Sequence, residues 1–205
     1  MPFWTTDQTS AIKDPKRKFR FTVTCANMGG VMWWAKTAAK PSFAIAATEH
    51  KYLNHTFYYP GSVTWNDVAI TMVDPGDGTV PAGGGTGNAP KDVAAALSTF
   101  IEQAGYTIPV NMTAGDGLNT MTKGKAVGAL GSVIVRQING LGDSVEEWTL
   151  HNAWITDLKF GDLEYGSDDI TELSMTLKYD WATLVTPSGT NFARGTAYAP
   201  PEADP

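Results

Sequence analysis

The chain has 205 residues, enough for one domain whose core needs no disulfide or metal for stability. Its net charge of −6 argues against the basic surface with which proteins grip nucleic acid or anionic lipid. Aromatic residues make up 11% of the chain, and its 21 glycines and 12 prolines favour many turns over long helices. We therefore expect an all-β or α+β protein.

Cys25 is the one cysteine of the chain, which excludes an intrachain disulfide and a zinc–cysteine cluster. It lies in an alternating run, which predicts a buried small side chain rather than a nucleophile. Residues 1–18 contain no continuous apolar run, and no window approaches the roughly 18 apolar residues that a membrane span needs. We therefore expect no signal peptide, no membrane segment and synthesis in a reducing cytosol.

The first strand is predicted after an N-terminal arm over residues 1–18. Apolar and polar side chains alternate over residues 19–25, which is typical of a half-buried strand. Its apolar face comprises Phe19, Phe21, Val23 and Cys25. A turn at residues 28–30 and a returning strand over residues 31–36 follow.

Residues 37–60 have the period of neither a strand nor a helix, and we predict a long loop there. The segment mixes aromatic and aliphatic side chains with charged ones, and a loop with so much apolar surface needs a partner. Strand character resumes over residues 63–73.

Two glycine-rich insertions flank one predicted helix. Residues 74–89 are too rich in glycine to pack by themselves and favour a linker. Pro90 suits the first turn of a helix and Gly105 its end, which predicts one helix between them. Residues 105–130 form the second insertion.

Three further strands are predicted at residues 133–138, 146–158 and 171–181. The last two show alternating apolar and polar side chains. Prolines in the last 23 residues predict a tail that lies on the surface or is disordered. The resulting organisation is an arm (1–18), a β domain (19–183) with insertions at about 74–89 and 105–130, and a C-terminal tail (184–205).

No group of residues in the sequence carries a catalytic pattern. His50, His55 and His151 are scattered and lack metal-ligand spacing, and no Gly-x-Ser-x-Gly elbow is present. The glycines at 83–87 lack a Walker motif, and the adjacent carboxylates at 146–147 would point to opposite faces of a strand. We predict no catalytic residue, no cofactor and no metal.

Several segments carry a family resemblance. They are AKTAAKP (35–41), YPGSVTWNDVAITMVD (59–74), residues 148–158, FGDLEY (160–165) and residues 173–181. In combination and order, these segments resemble the tail tube proteins of contractile-tail bacteriophages. The resemblance implies a mainly β (α+β) fold, a β-sandwich or barrel with one flanking α-helix, shared with secretion-system tube proteins. It also implies hexameric rings whose sheets join into one inner barrel and stack into a tube.

Two sets of site residues follow from this resemblance and from the alternation. The long loop is implied to reach the neighbouring ring through Ala44, Ile45, Glu49, His50, Lys51, Tyr52, Leu53, Asn54, His55 and Phe57. The polar strand faces are candidates for lining the lumen, through Arg20, Thr22, Thr24, Glu172, Ser174, Thr176, Lys178 and Asp180. Because the chain is acidic, DNA is expected to pass without specific binding. Sheath, baseplate and terminator proteins are the implied partners, in a virion tail assembled in the bacterial host cytoplasm.

Two alternatives stay open at this point. The first is an inner-tube subunit of a phage-derived contractile injection or secretion apparatus. The second is a monomeric β-barrel protein that binds a ligand or hydrolyses a substrate, which would need a concave pocket with convergent polar groups.

Overall fold

The computed structural model describes residues 15–28, 30–32, 34–74, 93–108, 120–166 and 168–192. Their strands are β1 (Phe21–Cys25), β2 (Gly30–Val31), β3 (Ala35–Ala38), β4 (Phe43–Tyr52), β5 (His55–Trp65), β6 (Val68–Val73), β7 (Val133–Ile138), β8 (Ser144–His151), β9 (Trp154–Lys159), β10 (Glu172–Lys178), β11 (Trp181–Thr186) and β12 (Gly189–Asn191). The helices are α1 (Val93–Gln103) and α2 (Lys123–Leu130), and Ala26–Met28 form a 3-10 turn.

The strands form two sheets and a separate ribbon, all antiparallel. The large sheet has the order β12-β11-β8-β7-β1-β2, and the small sheet has the order β3-β6-β10-β9. The ribbon is the pair β4-β5. The two sheets share one core, so the body is a β-sandwich, and the predicted mainly β fold is confirmed.

The core is built by the alternation that the sequence displays. Val23 and Cys25 from the large sheet meet Leu173, Met175 and Leu177 from the small sheet, and none of the five is more than 1% exposed. Their polar neighbours on the same strands face outward, as the period of two requires. Burial raises the pKa of the Cys25 thiol to about 12, in keeping with the inert side chain that we predicted.

Phe19 departs from the predicted face. It precedes β1 instead of lying in it, and its side chain is 73% exposed. A period of two therefore marked the strand correctly but extended it two residues too far.

A second helix corrects the expectation of a single flanking one. α1 lies inside the predicted helix, although Pro90 lies outside the described residues. α2 lies within the second predicted insertion, and its N-cap Thr122 accepts a hydrogen bond from the Lys125 backbone N–H at 3.4 Å. Its sequence KGKAVGAL holds two glycines and has a weak apolar stripe, which is why the composition suggested a loop.

The predicted strand over residues 146–158 is two strands in different sheets. Asn152, at φ 56°, breaks it between β8 of the large sheet and β9 of the small sheet. A bulge opposite Thr176 then shifts the register of β9, so that Ile155 and Leu158 pack on the core while Trp154 aligns with outward-facing Lys178. The first insertion, 74–89, lies outside the described residues apart from Asp74.

Part of the predicted tail is also strand. β11 and β12 pair at the edge of the large sheet, and the predicted boundary at residue 183 falls inside β11. Ala182 is fully buried there, while its neighbours are only partly covered. One of the prolines that suggested a tail lies in the turn between these two strands. The others lie beyond Phe192, where the described chain ends.

Candidate assembly surfaces

The segment predicted as a long loop is a β-ribbon. β4 and β5 pair from Phe43↔Trp65 to Tyr52↔His55, and Leu53, at φ 51°, lies in the tight turn at the tip. Both strands are exposed along nearly their whole length. A strand acquires an alternating sequence when one face is buried, and neither face of this ribbon is buried in the single chain. The prediction of a loop was therefore wrong, whereas the prediction of an exposed apolar segment was right.

The ten predicted interface residues all lie on this ribbon. Three of the apolar ones fall near the tip, where Tyr52 and Leu53 are 64% and 88% exposed and Phe57 packs against His55 with ring centroids 4.6 Å apart. Tyr58 and Tyr59 add further exposed aromatic surface. Several exposed aromatic and aliphatic side chains grouped in one place on a protein surface are typical of a protein–protein contact.

A bulge shapes the middle of the ribbon. The pairing shifts between Ile45↔Val63 and Ala47↔Pro60, so β5 carries one extra residue there. A Cβ at Gly61 would lie 3.1 Å from the Ala46 carbonyl oxygen, closer than ordinary contact. The glycine therefore permits a close approach of the two backbones and sets the twist with which the ribbon leaves the body.

The base of the ribbon is held by an aromatic cluster that the sequence did not predict. Phe43 and Trp65, the first cross-strand pair, have ring centroids 5.2 Å apart. Phe192, after β12, lies 6.0 Å from Phe43 and 5.8 Å from Trp65, and it stacks on Trp148 at 6.5 Å. Because these rings come from the ribbon, the large sheet and the end of the described chain, no local spacing joins them in the sequence. The cluster fixes the ribbon where it leaves the sandwich.

A partly buried ion cluster ties the segment between β3 and the ribbon to the large sheet. The Glu146 carboxylate accepts hydrogen bonds from Lys16 (2.5 Å), Lys40 (2.8 Å) and the Trp148 indole (2.5 Å). Burial opposes ionisation, but these three hydrogen bonds and the charge of Lys40 outweigh it and hold the pKa of Glu146 at about 2. The carboxylate is thus charged, and it fixes the entry to the ribbon.

The predicted lumen residues divide between two faces that point away from each other. Thr22 and Thr24 lie on the outer face of the large sheet, with Arg20 just before it, whereas Glu172, Ser174, Thr176 and Lys178 lie on the outer face of the small sheet. Asp180 lies beyond β10, where its carboxylate accepts hydrogen bonds from Lys123 and Asn152 at 2.7 Å. These contacts lower the pKa of Asp180. One lumen can be lined by only one of the two faces.

The outer face of the small sheet carries charges of both signs. Glu172 accepts a hydrogen bond from Lys36, which raises the pKa of that lysine, and Lys178 lies 3.4 Å from Asp67. Ser174, Thr176 and Thr71 add hydroxyl groups between these pairs. The face is therefore polar but close to balanced in charge, which the acidic composition of the whole chain did not indicate.

The edges of the small sheet carry no paired strand within the described residues. β3 pairs on one side with β6, and β9 pairs on one side with β10. The strand directions alternate across the sheet, so β3 and β9 run in opposite directions. A second small sheet can therefore be added beside the first in the same orientation, with antiparallel pairing at the junction.

The described residues contain no group of three or more His, Cys, Asp or Glu side chains that could hold a metal ion. No helix in the part of the chain that the structure describes is long and apolar enough to cross a membrane.

The fold resembles that of several solved structures. A chain of the anti-feeding prophage cap, described as a tube terminating cap, matches with a TM-score of 0.57 and 18% identity, over 91% of this chain and 99% of that one. A chain of the sheath/tube terminator structure of an extracellular contractile injection system, PVC, matches at 0.56 and 16%, over 86% and 100%. A chain of the PVC sheath-tube complex matches at 0.56 and 16%, over 89% and 99%.

No protein-family model matches the chain, and no curated protein matches it. At these identities the matches establish the fold, which is of the tail-tube type, as the resemblance in the sequence predicted.

Proposed function

We propose that this chain of tail-tube fold is a non-enzymatic structural subunit that assembles as stacked rings of six copies into a hollow tube. The observation that carries the proposal is that one molecule has two surfaces that its own described residues leave uncovered. One is a four-stranded sheet whose two oppositely directed edges carry no further strand among the described residues, and the other is an exposed apolar ribbon anchored at its base. Each feature is incomplete in a single copy and is completed by another copy.

Within a ring, β9 of one copy would pair with β3 of the next. These edge strands have six and four residues, long enough for several ladder hydrogen bonds. The edge strands of the large sheet, β2 and β12, have two and three residues, which is too short to extend a sheet usefully. The small sheet is therefore the better candidate for the continuous inner barrel.

With the small sheet as the inner barrel, its outer polar face would line the lumen. If the small sheet forms the inner barrel, Glu172, Ser174, Thr176 and Lys178 face the lumen, whereas Thr22 and Thr24 face the outside of the tube. The lining is then rich in hydroxyl groups and has its charges paired, through Lys36 with Glu172 and Lys178 with Asp67. Such a surface offers a passing polyanion no net positive charge to which it can adhere.

The ribbon would contact the neighbouring ring of the stack. Its apolar tip would be covered by the neighbouring ring, while the aromatic cluster at its base would hold it at a fixed angle. Sheath, baseplate and terminator proteins are the partners that a tube of this kind requires, and a phage tail assembled in the host cytoplasm is the location we propose.

A second candidate function is favoured by the structural matches. The chains that the protein resembles come from a tube terminating cap and from contractile injection system assemblies. An inner-tube or terminator subunit of such an apparatus, rather than a DNA-passing phage tube, would have the same sheet edges and ribbon. A terminator caps one end of a tube, so it would form rings without forming long rods.

Electron microscopy of the purified protein at high concentration tests the proposal. Hollow rings with six-fold symmetry that stack into rods are the expected result, and isolated rings without rods favour the terminator function. A protein that stays a 22 kDa monomer in size-exclusion chromatography at every concentration would contradict both candidates. It would favour a monomeric binding protein instead.

A further inference from the structure

A groove between the two sheets opens on the side where β3 forms the edge. Its volume is about 610 Å³, and its apolar floor is formed by inward-facing side chains of the large sheet together with Phe19. The floor residues are Phe19, Phe21, Val135 and Trp148. On the opposite side of the sandwich, α2 packs on β9, and residues of α1 and α2 meet Ile155 there. Among the residues that the structure describes, the helices thus close one side of the sandwich and nothing closes the other side.

Basic side chains surround this lysine groove. Lys18 and Lys40 lie along its rim, and Lys36 lies at the β3 edge, where its ammonium contacts Glu172. Lys36 pairs with Glu172 and Lys40 with Glu146, so the excess of positive charge is modest. The groove therefore suits a segment that is mainly apolar and carries some negative charge.

One segment of the same chain has this composition. The acidic loop, residues 160–171 between β9 and β10, contains four carboxylates at Asp162, Glu164, Asp168 and Asp169 and no basic residue. Two apolar side chains project from it without cover, since Leu163 is 88% exposed and Tyr165 is fully exposed. Exposed apolar side chains among like charges indicate a contact surface rather than a solvated turn.

A glycine turn fixes the direction in which the acidic loop leaves the sheet. Gly161, at φ 82°, turns the chain after β9, and a Cβ at this position would lie 2.5 Å from the Glu172 carbonyl oxygen. The turn therefore requires glycine and holds the start of the loop against the start of β10.

The acidic loop leaves the small sheet at β9, the edge opposite the lysine groove, at the same height as the groove. It returns to β10, where its Asp169 acts on Lys36 of the same copy. Lys159 aligns with Ser174, Ser174 with Thr71, and Thr71 with Thr37, in one row across the small sheet. The loop leaves β9 at this row, and Lys36 and Thr37 line the groove at the same row. When a second small sheet is added beside β9, its groove lies next to the loop of the first.

We propose that the acidic loop of one copy inserts Leu163 and Tyr165 into the lysine groove of the next copy in the ring. This interface rests on the proposed ring assembly and adds to it a side-chain contact that locks the joint between β9 and β3. The contact is heterologous, because the loop and the groove are different surfaces, and such contacts close into rings when the rotation allows. The apolar insertion supplies the affinity, and the carboxylates facing the lysines supply the orientation.

A matched pair of substitutions tests the contribution of the loop. Leu163→Ser is expected to raise the concentration needed for ring formation by about tenfold. Leu141→Ser is the control, because Leu141 is also 88% exposed but lies in the turn between β7 and β8. Equal melting temperatures of the two variants as monomers would exclude a folding defect. Rings that form at the wild-type concentration with Leu163→Ser would overturn the proposal while leaving ring formation itself intact.

A cross-linking experiment tests the contact directly. A protein carrying Phe19→Cys and Leu163→Cys, oxidised with copper phenanthroline after assembly, is expected to give intermolecular disulfides in a ladder that ends at the ring size. Cys25 should stay out of this reaction, because it is fully buried and its thiol has a raised pKa. The control pair Phe19→Cys and Leu141→Cys should stay monomeric on a denaturing gel.

Three other outcomes would contradict the contact. If rings are present but the pair Phe19→Cys and Leu163→Cys gives no ladder, the groove holds something else and the ring proposal survives. If Phe19→Cys instead cross-links within one chain to Ala197→Cys, the occupant is the C-terminal segment 193–205. If no rings form under any condition, the proposed function fails together with this interface.

Discussion

The β4–β5 ribbon and the small sheet are both antiparallel β-structure, yet they differ in what a single chain buries. In β10, Leu173, Met175 and Leu177 are covered by the large sheet, whereas the ribbon exposes aromatic side chains along its length. The sheet is held by its own core, and the ribbon is held mainly at its base. The difference indicates that the sheet is stabilised within one chain, whereas most of the ribbon surface stays exposed and available for a protein contact.

Substitution in the core of the small sheet should have the largest effect on the fold. Leu177→Ala removes a fully buried side chain and should lower the free energy of unfolding by about 2–5 kcal/mol. Urea denaturation followed by tryptophan fluorescence measures this loss. A loss below about 1 kcal/mol would mean that the sandwich core is not the source of stability.

Loss of the partly buried ion cluster should have the next largest effect. Glu146→Gln removes the charge that Lys16 and Lys40 contact, and it should cost roughly 1–3 kcal/mol near pH 7. Because the pKa of Glu146 is lowered to about 2, its contribution is present above its ordinary value near 4.5 and is lost as the pH falls towards 2. The free energy of unfolding of the wild type should therefore fall over this range more steeply than that of Glu146→Gln. Parallel pH profiles would contradict the assignment.

Loosening the anchor of the ribbon should cost less. Phe192→Ala removes the ring that contacts Phe43 and Trp65, and it should lower the free energy of unfolding by about 1 kcal/mol. Amide hydrogen exchange should become faster at the base of the ribbon and stay unchanged in β10. Equal acceleration in both regions would mean that the cluster supports the whole sandwich and not the ribbon in particular.

Changes at the tip of the ribbon should have the smallest effect on the fold and still prevent assembly. The double reversal Glu49→Lys with Lys51→Glu keeps the net charge, and it should change the free energy of unfolding by less than about 0.5 kcal/mol because both side chains are exposed. Rods should be absent from electron micrographs of this variant.

The matched control is Glu102→Lys with Lys125→Glu, a double reversal of exposed charges on α1 and α2 that should leave rods unchanged. Rods of normal length from the ribbon variant would show that the tip is not an inter-ring contact.

The sequence predicted those elements whose burial is settled within one chain. β1 and β10 were recognised because one face of each is buried and the other is mostly polar, so apolar and polar side chains alternate along both strands. The resemblance of segments such as YPGSVTWNDVAITMVD predicted the tail-tube type of fold, and the structural matches confirm it at the level of fold.

Other features depend on contacts that local patterns do not record. The ribbon lacks a period because both its faces are exposed, and the break at Asn152 rests on one residue with a positive φ. The aromatic cluster joins Phe43, Trp65 and Phe192 from distant parts of the chain. The division of the polar strands between two outward faces required the strand order, which alternation alone cannot supply.

Amide hydrogen exchange, compared between monomer and assembled protein, tests most directly whether the small sheet is completed by other copies. We expect exchange of the β3 (Ala35–Ala38) and β9 (Trp154–Lys159) amides to become markedly slower on assembly, while exchange in β10, already paired on both sides, changes little. Exchange at β3 and β9 that is equally fast in monomer and assembly would contradict the continuous inner sheet.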